Sequence, residues 1–142
     1  MDIKEQVEKK LKEGWIKSWM MIEVMAISEE ATKSALEKHI QKMKKEDKTL
    51  IYKTEFSKIK NVKNPFPNIP EAYSQVVELE LLTANYEKLV TLVINYGPSA
   101  VEILEPETLK MDMGEAQGIL NALAALIHRF AATGAGGIMI ST

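Results

Sequence analysis

Cysteine is absent from the 142-residue sequence, so neither a disulfide framework nor a thiolate zinc site is possible. No apolar run reaches the ~20 residues that a membrane-spanning helix needs. The charged start Met1-Asp2-Ile3-Lys4-Glu5 also lacks the apolar core of a signal peptide. From these absences we expect a cytoplasmic protein that contacts no membrane, and the sequence indicates no cofactor.

Arginine is also scarce, and the charges that are present divide unevenly along the chain. Residues 1–63 hold 15 lysines against 11 acidic residues, whereas residues 64–142 hold two lysines and Arg129 against nine acidic residues. Such a bipolar chain can pair its charges internally or bind a second copy head to tail, and either fits it better than a nucleic-acid partner. The length suits one domain with one core over residues 1–142.

The first part of the chain predicts two helices and two strands. Apolar residues spaced four apart before Gly14 indicate a short amphipathic helix over residues 1–13. The apolar and β-branched run over residues 16–27 predicts a strand, and Ser28 can cap the helix that follows it. Alternating polar and apolar residues over 50–57 predict a second, half-buried strand.

The middle of the chain is divided by proline and glycine. Residues 65–70 contain three of the five prolines and predict a stiff extended loop, since proline cannot donate to a strand ladder. Residues 73–82 alternate as a third strand. Asn85 can cap the next helix, which Gly97 ends, and a short fourth strand containing Glu102 runs to Pro106.

The last helix is predicted over residues 112–132, beginning at a capping box. Large apolar side chains form one stripe along it and predict a core-facing surface. Residues 137–141 predict a short tail strand. The stripe consists of Ile119, Leu123, Ile127 and Phe130.

Over residues 15–106 the element order is strand, helix, strand, strand, helix, strand. Two split βαβ halves of this kind predict a ferredoxin-like α+β sandwich, in which two helices cover one face of a four-stranded antiparallel sheet. The N-terminal helix, the C-terminal helix and the tail strand are additions to this core.

Residues 73–130 carry a family resemblance. A helix ending Val93-Ile94-Asn95-Tyr96-Gly97-Pro98 leads to Ala100-Val101-Glu102-Ile103-Leu104-Glu105-Pro106, then Leu109 and a final helix. This resembles the C-terminal extension of WYL-type bacterial regulators, which implies a small ferredoxin-like module of regulatory or oligomerising character. The chain shows neither a helix-turn-helix nor the WYL domain itself. As a whole it resembles small uncharacterised archaeal proteins with ferredoxin-like folds, which implies a fold rather than a function.

Four glutamates are the candidate ligand or cation site. In the expected strand order, alternation places Glu23, Glu78, Glu80 and Glu102 on the sheet face away from the two helices. Close carboxylates can hold a divalent cation or raise one another's pKa values. The alternative is that they are solvated and paired with lysines such as Lys17 and Lys53, as on most exposed sheet faces.

Two sets of residues are candidate contact surfaces. Trp19, Met21 and Met25 share the glutamate face, and their size predicts that the last helix or a second subunit covers part of it. The small residues Gly118, Ala122 and Ala125 form a strip on the last helix, which predicts a close helix–helix or subunit contact.

Other polar features favour ordinary structural roles. His128 lies opposite the apolar stripe with no placed nucleophile, and His39 flanks the stripe of its own helix. The glycines Gly134, Gly136 and Gly137 follow a helix instead of preceding one, so they do not form a phosphate cradle. The eight lysines between residues 42 and 63 are interrupted by acids and offer no stacking aromatic residues.

The sequence therefore leaves three functions open. The leading one is a non-catalytic regulatory or small-ligand-binding module that self-associates. The second is a small enzyme or divalent-cation binder that uses the glutamate face. The third is nucleic-acid binding through the lysine-rich N-terminal half, which the charge pattern makes the weakest.

Overall fold

The computed structural model of the chain describes residues 1–133, so the predicted tail strand and the glycines Gly134, Gly136 and Gly137 lie outside the described residues. Four helices and five strands are formed within them. In chain order they are α1 (Ile3–Lys12), β1 (Ile16–Ala26), α2 (Glu29–Lys44), β2 (Thr49–Phe56), β3 (Lys60–Phe66), β4 (Ile69–Thr83), α3 (Tyr86–Tyr96), β5 (Ala100–Glu105) and α4 (Met113–Ala132).

The helix boundaries follow from the capping residues that the sequence contains. Ser28, Asn85 and Asp112 each accept a hydrogen bond from the backbone N–H three residues on, at the start of α2, α3 and α4. Gly97 ends α3 in the left-handed conformation, with φ of 59°. These predicted helices are confirmed.

The sheet is antiparallel and its order is β2-β4-β1-β5, with β3 paired to the first part of β4. β1 and β4 are central and β5 is at one edge. This is the order of a ferredoxin-like sheet, so the predicted fold class is confirmed, with α1, α4 and the additional strand β3 outside the βαββαβ core.

The prediction of a loop over residues 65–70 is wrong, because this segment is the end of a β-hairpin. β3 turns back into β4 with Phe66 opposite Ile69. The register between the two strands shifts between Lys63 and Phe66, and proline is tolerated where a ladder is interrupted or lies at an edge. The prolines therefore shape the hairpin without preventing it.

The main core lies between the inner face of the sheet and helices α2 and α3. Met20 and Leu79 lie opposite each other on β1 and β4 and are covered by Leu36 of α2 and Leu92 of α3. All four side chains are at most 1% exposed. The predicted core stripe of α4 does not join this core, since α4 contains no buried residue.

Within residues 1–133, none of the four helices combines the length and the apolar character that crossing a membrane requires.

Candidate functional site

The strand register brings the four candidate glutamates to the outer face of the sheet, the face away from α2 and α3. Trp19 on β1 lies opposite Glu80 on one side and Glu102 on the other. Glu78 lies opposite Met21, and Glu23 lies opposite Val76 nearer the hairpin. Glu78, Glu80 and Glu102 therefore lie around Trp19 and Met21, whereas Glu23 lies nearer the hairpin.

Two of these carboxylates have partners of their own on the sheet. Glu80 Oε1 accepts a hydrogen bond of 3.0 Å from the Tyr52 hydroxyl, and Glu80 Oε2 lies 3.6 Å from Lys53 Nζ. Glu23 Oε2 accepts a hydrogen bond of 2.6 Å from Ser74. Burial first, and then the bond to Glu80, raises the pKa of Tyr52 well above its ordinary value of 10.0.

The described residues of the outer face show no cluster of metal ligands. Across residues 1–133, no three histidine, aspartate or glutamate side chains come together in a way that could hold a metal ion. Lys17, the other lysine expected beside these glutamates, pairs instead with Glu105 at 3.7 Å. The arrangement is that of a sheet face carrying separate ion pairs.

The outer face is covered at one end, but not by the last helix. Leu82 points to this face, since its neighbour Leu81 belongs to the core, and it is 0% exposed. Helix α1 contacts β4, whereas α4 packs chiefly against α3. α1 therefore provides the cover at this end, Trp19 and Met21 are half-buried, and Met25 stays 43% exposed.

The small-residue strip of α4 is a contact with α3 within the same chain. A Cβ atom on Gly118 would overlap the Glu87 carboxylate, and Ala122 and Ala125 line a cavity of about 190 Å³ together with Ile94. Glu115 Oε1 also accepts the backbone N–H of Tyr86 at 3.1 Å. The two helices therefore run side by side in the same direction, starting together.

The large apolar side chains of α4 lie about 140° around the helix from this strip. Leu123, Ile127 and Phe130 are 41%, 50% and 46% exposed. The sequence interpretation was wrong here because the sequence places two apolar strips on one helix, and α3 takes the strip of small residues. α3 is also shorter than α4, so the end of α4 extends beyond it.

An open groove of about 540 Å³ lies between α3, β5 and α4. Its floor and walls are aliphatic except for one tyrosine, and no charged side chain lines it. It is therefore suited to binding apolar surface. The lining residues are Tyr86, Leu89, Val90, Val93, Ile94, Val101, Ile103, Leu123 and Leu126.

Sequence reasoning missed this groove, although a signal for it was present. Residues 113–132 include only two charged residues, Glu115 and Arg129, which is too few for a surface helix that buries one narrow face. The groove also needs Val101 and Ile103 from β5, and their closeness to α4 follows only from the tertiary packing.

The histidines have structural surroundings. His39 Nε2 lies 2.9 Å from the carbonyl oxygen of Tyr96, and the two rings meet edge to face with centroids 5.1 Å apart. His128 is exposed on the far side of α4. Neither histidine belongs to a group of three or more side chains that could hold a metal ion among residues 1–133.

The lysine-rich region is divided between the two ends of the sheet. The backbone carbonyl of Lys48 bonds to Ala84, whereas Lys60 lies opposite Ser74. Ten residues of strand separate these two points, which is about 33 Å at ~3.3 Å per residue. The lysines therefore do not form one continuous basic surface.

Three of the five ion pairs among residues 1–133 join a lysine of the basic first half to a glutamate of the acidic second half, whereas the other two join Lys88 of the second half to acids of the first. The pairs are Lys17–Glu105, Lys53–Glu80, Lys63–Glu71, and Lys88 with both Glu46 and Asp47. The bipolar charge is thus met partly by internal pairing, the first of the two possibilities that the sequence left open.

The fold and this site define a ferredoxin-like α+β protein with two added helices, one added strand and an apolar groove. The sequence matches the MJ0538 family over residues 17–138, and the chain belongs to that family. This agrees with the expectation of a small archaeal-type protein, while the resemblance to WYL-type regulators is not shown. No curated protein matches the chain.

Proposed function

We propose that the chain is a non-catalytic module that self-associates, with a second copy bound on the apolar surface of β5 and α4. The observation that carries this proposal is the exposed stripe of α4 beside the groove. Together they form the α4–β5 patch, which consists of Val101, Ile103, Leu120, Leu123, Leu126, Ile127 and Phe130.

The size of the α4–β5 patch supports a protein partner. Its seven side chains are 37% to 61% exposed. Taking roughly 150–200 Å² for a fully exposed large side chain, they present about 550 Å² of apolar surface. That is the upper end for a monomer, and it forms most of the ~800 Å² that each partner contributes to a stable complex.

The chemistry of the patch supports a second copy over a small molecule. Ligand pockets usually combine apolar walls with a few polar groups that orient the ligand, and this groove has no charged side chain. A two-fold dimer uses the same patch on both subunits, so the chain itself supplies the matching apolar surface. The depletion of charge along α4 is also typical of the centre of an interface.

A charge placed in the patch tests the proposal. Ile127 is 50% exposed in the single chain, so Ile127→Glu leaves the fold intact but puts a carboxylate into the contact. Burial of about 90 Å² at ~25 cal/mol per Å² is roughly 2 kcal/mol for each subunit, or about 1000-fold in the dimer dissociation constant for both. Sedimentation velocity is expected to show a wild-type dimer and a monomeric variant.

Phe66→Glu is the matched control, because Phe66 is 59% exposed on the hairpin, outside the patch. This variant is expected to remain a dimer. A wild-type chain that sediments as a monomer at micromolar concentration contradicts the proposal. A monomer that enhances the fluorescence of an apolar dye, and loses this with Ile127→Glu, favours small-ligand binding in the groove instead.

We also retain a cytoplasmic location as part of this proposal, on the ground of the cysteine-free composition.

A further inference from the structure

The free edge of the sheet adjoins the α4–β5 patch. β5 is the last strand on its side and pairs only with β1 among the described strands. Alternate residues of an edge strand direct their N–H and C=O groups away from the sheet, where they can pair with another strand. The regular part of β5 is short, because its register against β1 shifts after Ile103.

The two edges of the sheet differ in how they are protected. β2, at the opposite edge, carries Lys53 and an irregularity between Ile51 and Lys53, two features that discourage pairing between molecules. Residues 100–103 of β5 contain no proline and no register shift, and their one charged residue, Glu102, lies on the outer face opposite Trp19. The open edge is therefore the one that lies beside the apolar groove.

We infer that two copies join through antiparallel pairing of their β5 strands about a two-fold axis, so that the two sheets become one. This inference rests on the proposed function and specifies its geometry. The two-fold axis stands normal to the sheet, which keeps α3 and α4 of both copies on the same side. The two α4 helices then face each other across the seam.

The same two-fold pairing covers both the α4–β5 patch and the free backbone edge of β5. Val101 and Ile103 point to the inner face, since they lie opposite Met20 and Ser18, and they form the groove wall nearest the edge. In the paired sheet they adjoin the same residues of the second copy beneath the two α4 helices. A contact made by α4 alone leaves the β5 backbone edge unpaired.

The absence of cysteine allows a direct test by disulfide cross-linking, since any cross-link must come from an introduced residue. Single cysteines are placed at each of residues 100–103, with Thr54→Cys on β2 as a control at the opposite edge. In a two-fold antiparallel pair, one residue lies opposite its own copy at about 5 Å. For the residues one position away along the strand, the Cα atoms of the two copies are roughly 8 Å apart. For the residues two positions away, they are about 14 Å apart.

The expected result is a sharp maximum of cross-linking at one of the four positions, with none at Thr54→Cys. Only cysteines with Cα atoms closer than about 7 Å can be bridged without backbone movement. Sedimentation of each reduced variant separates the two proposals. A dimer with no cross-link at residues 100–103, or with equal cross-linking at all four, overturns β5 pairing and leaves self-association standing. A monomer overturns both.

Discussion

Replacing Lys88 by methionine is expected to destabilise the fold by about 1–2 kcal/mol at neutral pH. Lys88 Nζ donates to Glu46 Oε1 at 2.7 Å and to Asp47 Oδ1 at 3.0 Å. The Lys88 side chain is 13% exposed and that of Glu46 25%, so their contact is largely shielded from water. A hydrogen bond to a charged group contributes ~1.5–3 kcal/mol, and the remaining exposure places this pair toward the lower end. Methionine keeps most of the apolar stem.

The loss is expected to depend on pH. The bond from Lys88 first, and the bond from Tyr96 second, hold the pKa of Glu46 below its ordinary 4.5. A lowered carboxyl pKa gives stability that is fully present above the unfolded-state value and is lost as the pH falls through the folded-state value. Burial lowers the pKa of Lys88, but its bonds to the two carboxylates outweigh this and raise it, so the lysine stays charged throughout.

The effect is measured by urea unfolding, monitored by tryptophan fluorescence, at pH 7 and at pH 3. The protein concentration is the same in every experiment, because self-association adds stability. The difference between wild type and Lys88→Met is expected to be smaller at pH 3. Lys42→Met, on the exposed surface of α2, is the control and is expected to change stability by less than about 0.5 kcal/mol. An equal loss at both pH values refutes the reasoning and assigns the effect to packing of the lysine stem.

Two further predictions concern single groups. Absorbance titration is expected to show Tyr52 and Tyr96 ionising above the ordinary tyrosine pKa of 10.0, because burial and a bond to Glu80 raise the pKa of Tyr52, and burial and a bond to Glu46 raise the pKa of Tyr96 to about 12. The stability from these two phenols is present below pH 10 and is lost as the pH rises through their folded-state pKa values. Tyr96→Phe should remove one late step, and a late step that this variant leaves unchanged would contradict this. Gly97→Ala is expected to cost roughly 1–2 kcal/mol in urea unfolding, because φ is 59° and no atom lies within 4 Å of the added Cβ to compensate. Gly114→Ala, at negative φ in the first turn of α4, is the control, and an equal loss there would show that the left-handed backbone is not the cause.

The groove and the glutamate face lead to different kinds of function. The glutamate face has the residue types of a cation site, but the register spreads them along three strands and gives Glu80 and Glu23 partners of their own. The α4–β5 patch has no chemistry for a reaction, but it has the size and the low charge of a binding surface. The structure therefore favours association over catalysis as the proposal to test first.

The N-cap residues and the periodic patterns determined the helices and the four main strands, because these depend on contacts within a few residues. Ser28, Asn85 and Asp112 accept the predicted capping bonds. The period of two along β1 and β4 also determined which side of the sheet the glutamates occupy, since a one-residue shift would have buried Glu78 and Glu80. The βαββαβ order then limited the sheet to the ferredoxin-like arrangement.

The partners of these elements were decided only by the tertiary structure. The proline-containing segment pairs as a hairpin because β4 extends past β2 and offers it an edge. α4 carries two apolar strips, and periodicity cannot show which one faces the core. Close approach to α3 requires the small residues Gly118 and Ala122, so the large ones are left exposed beside β5. The α4–β5 patch is exposed because α3 packs against the small residues of α4 and not against the large ones.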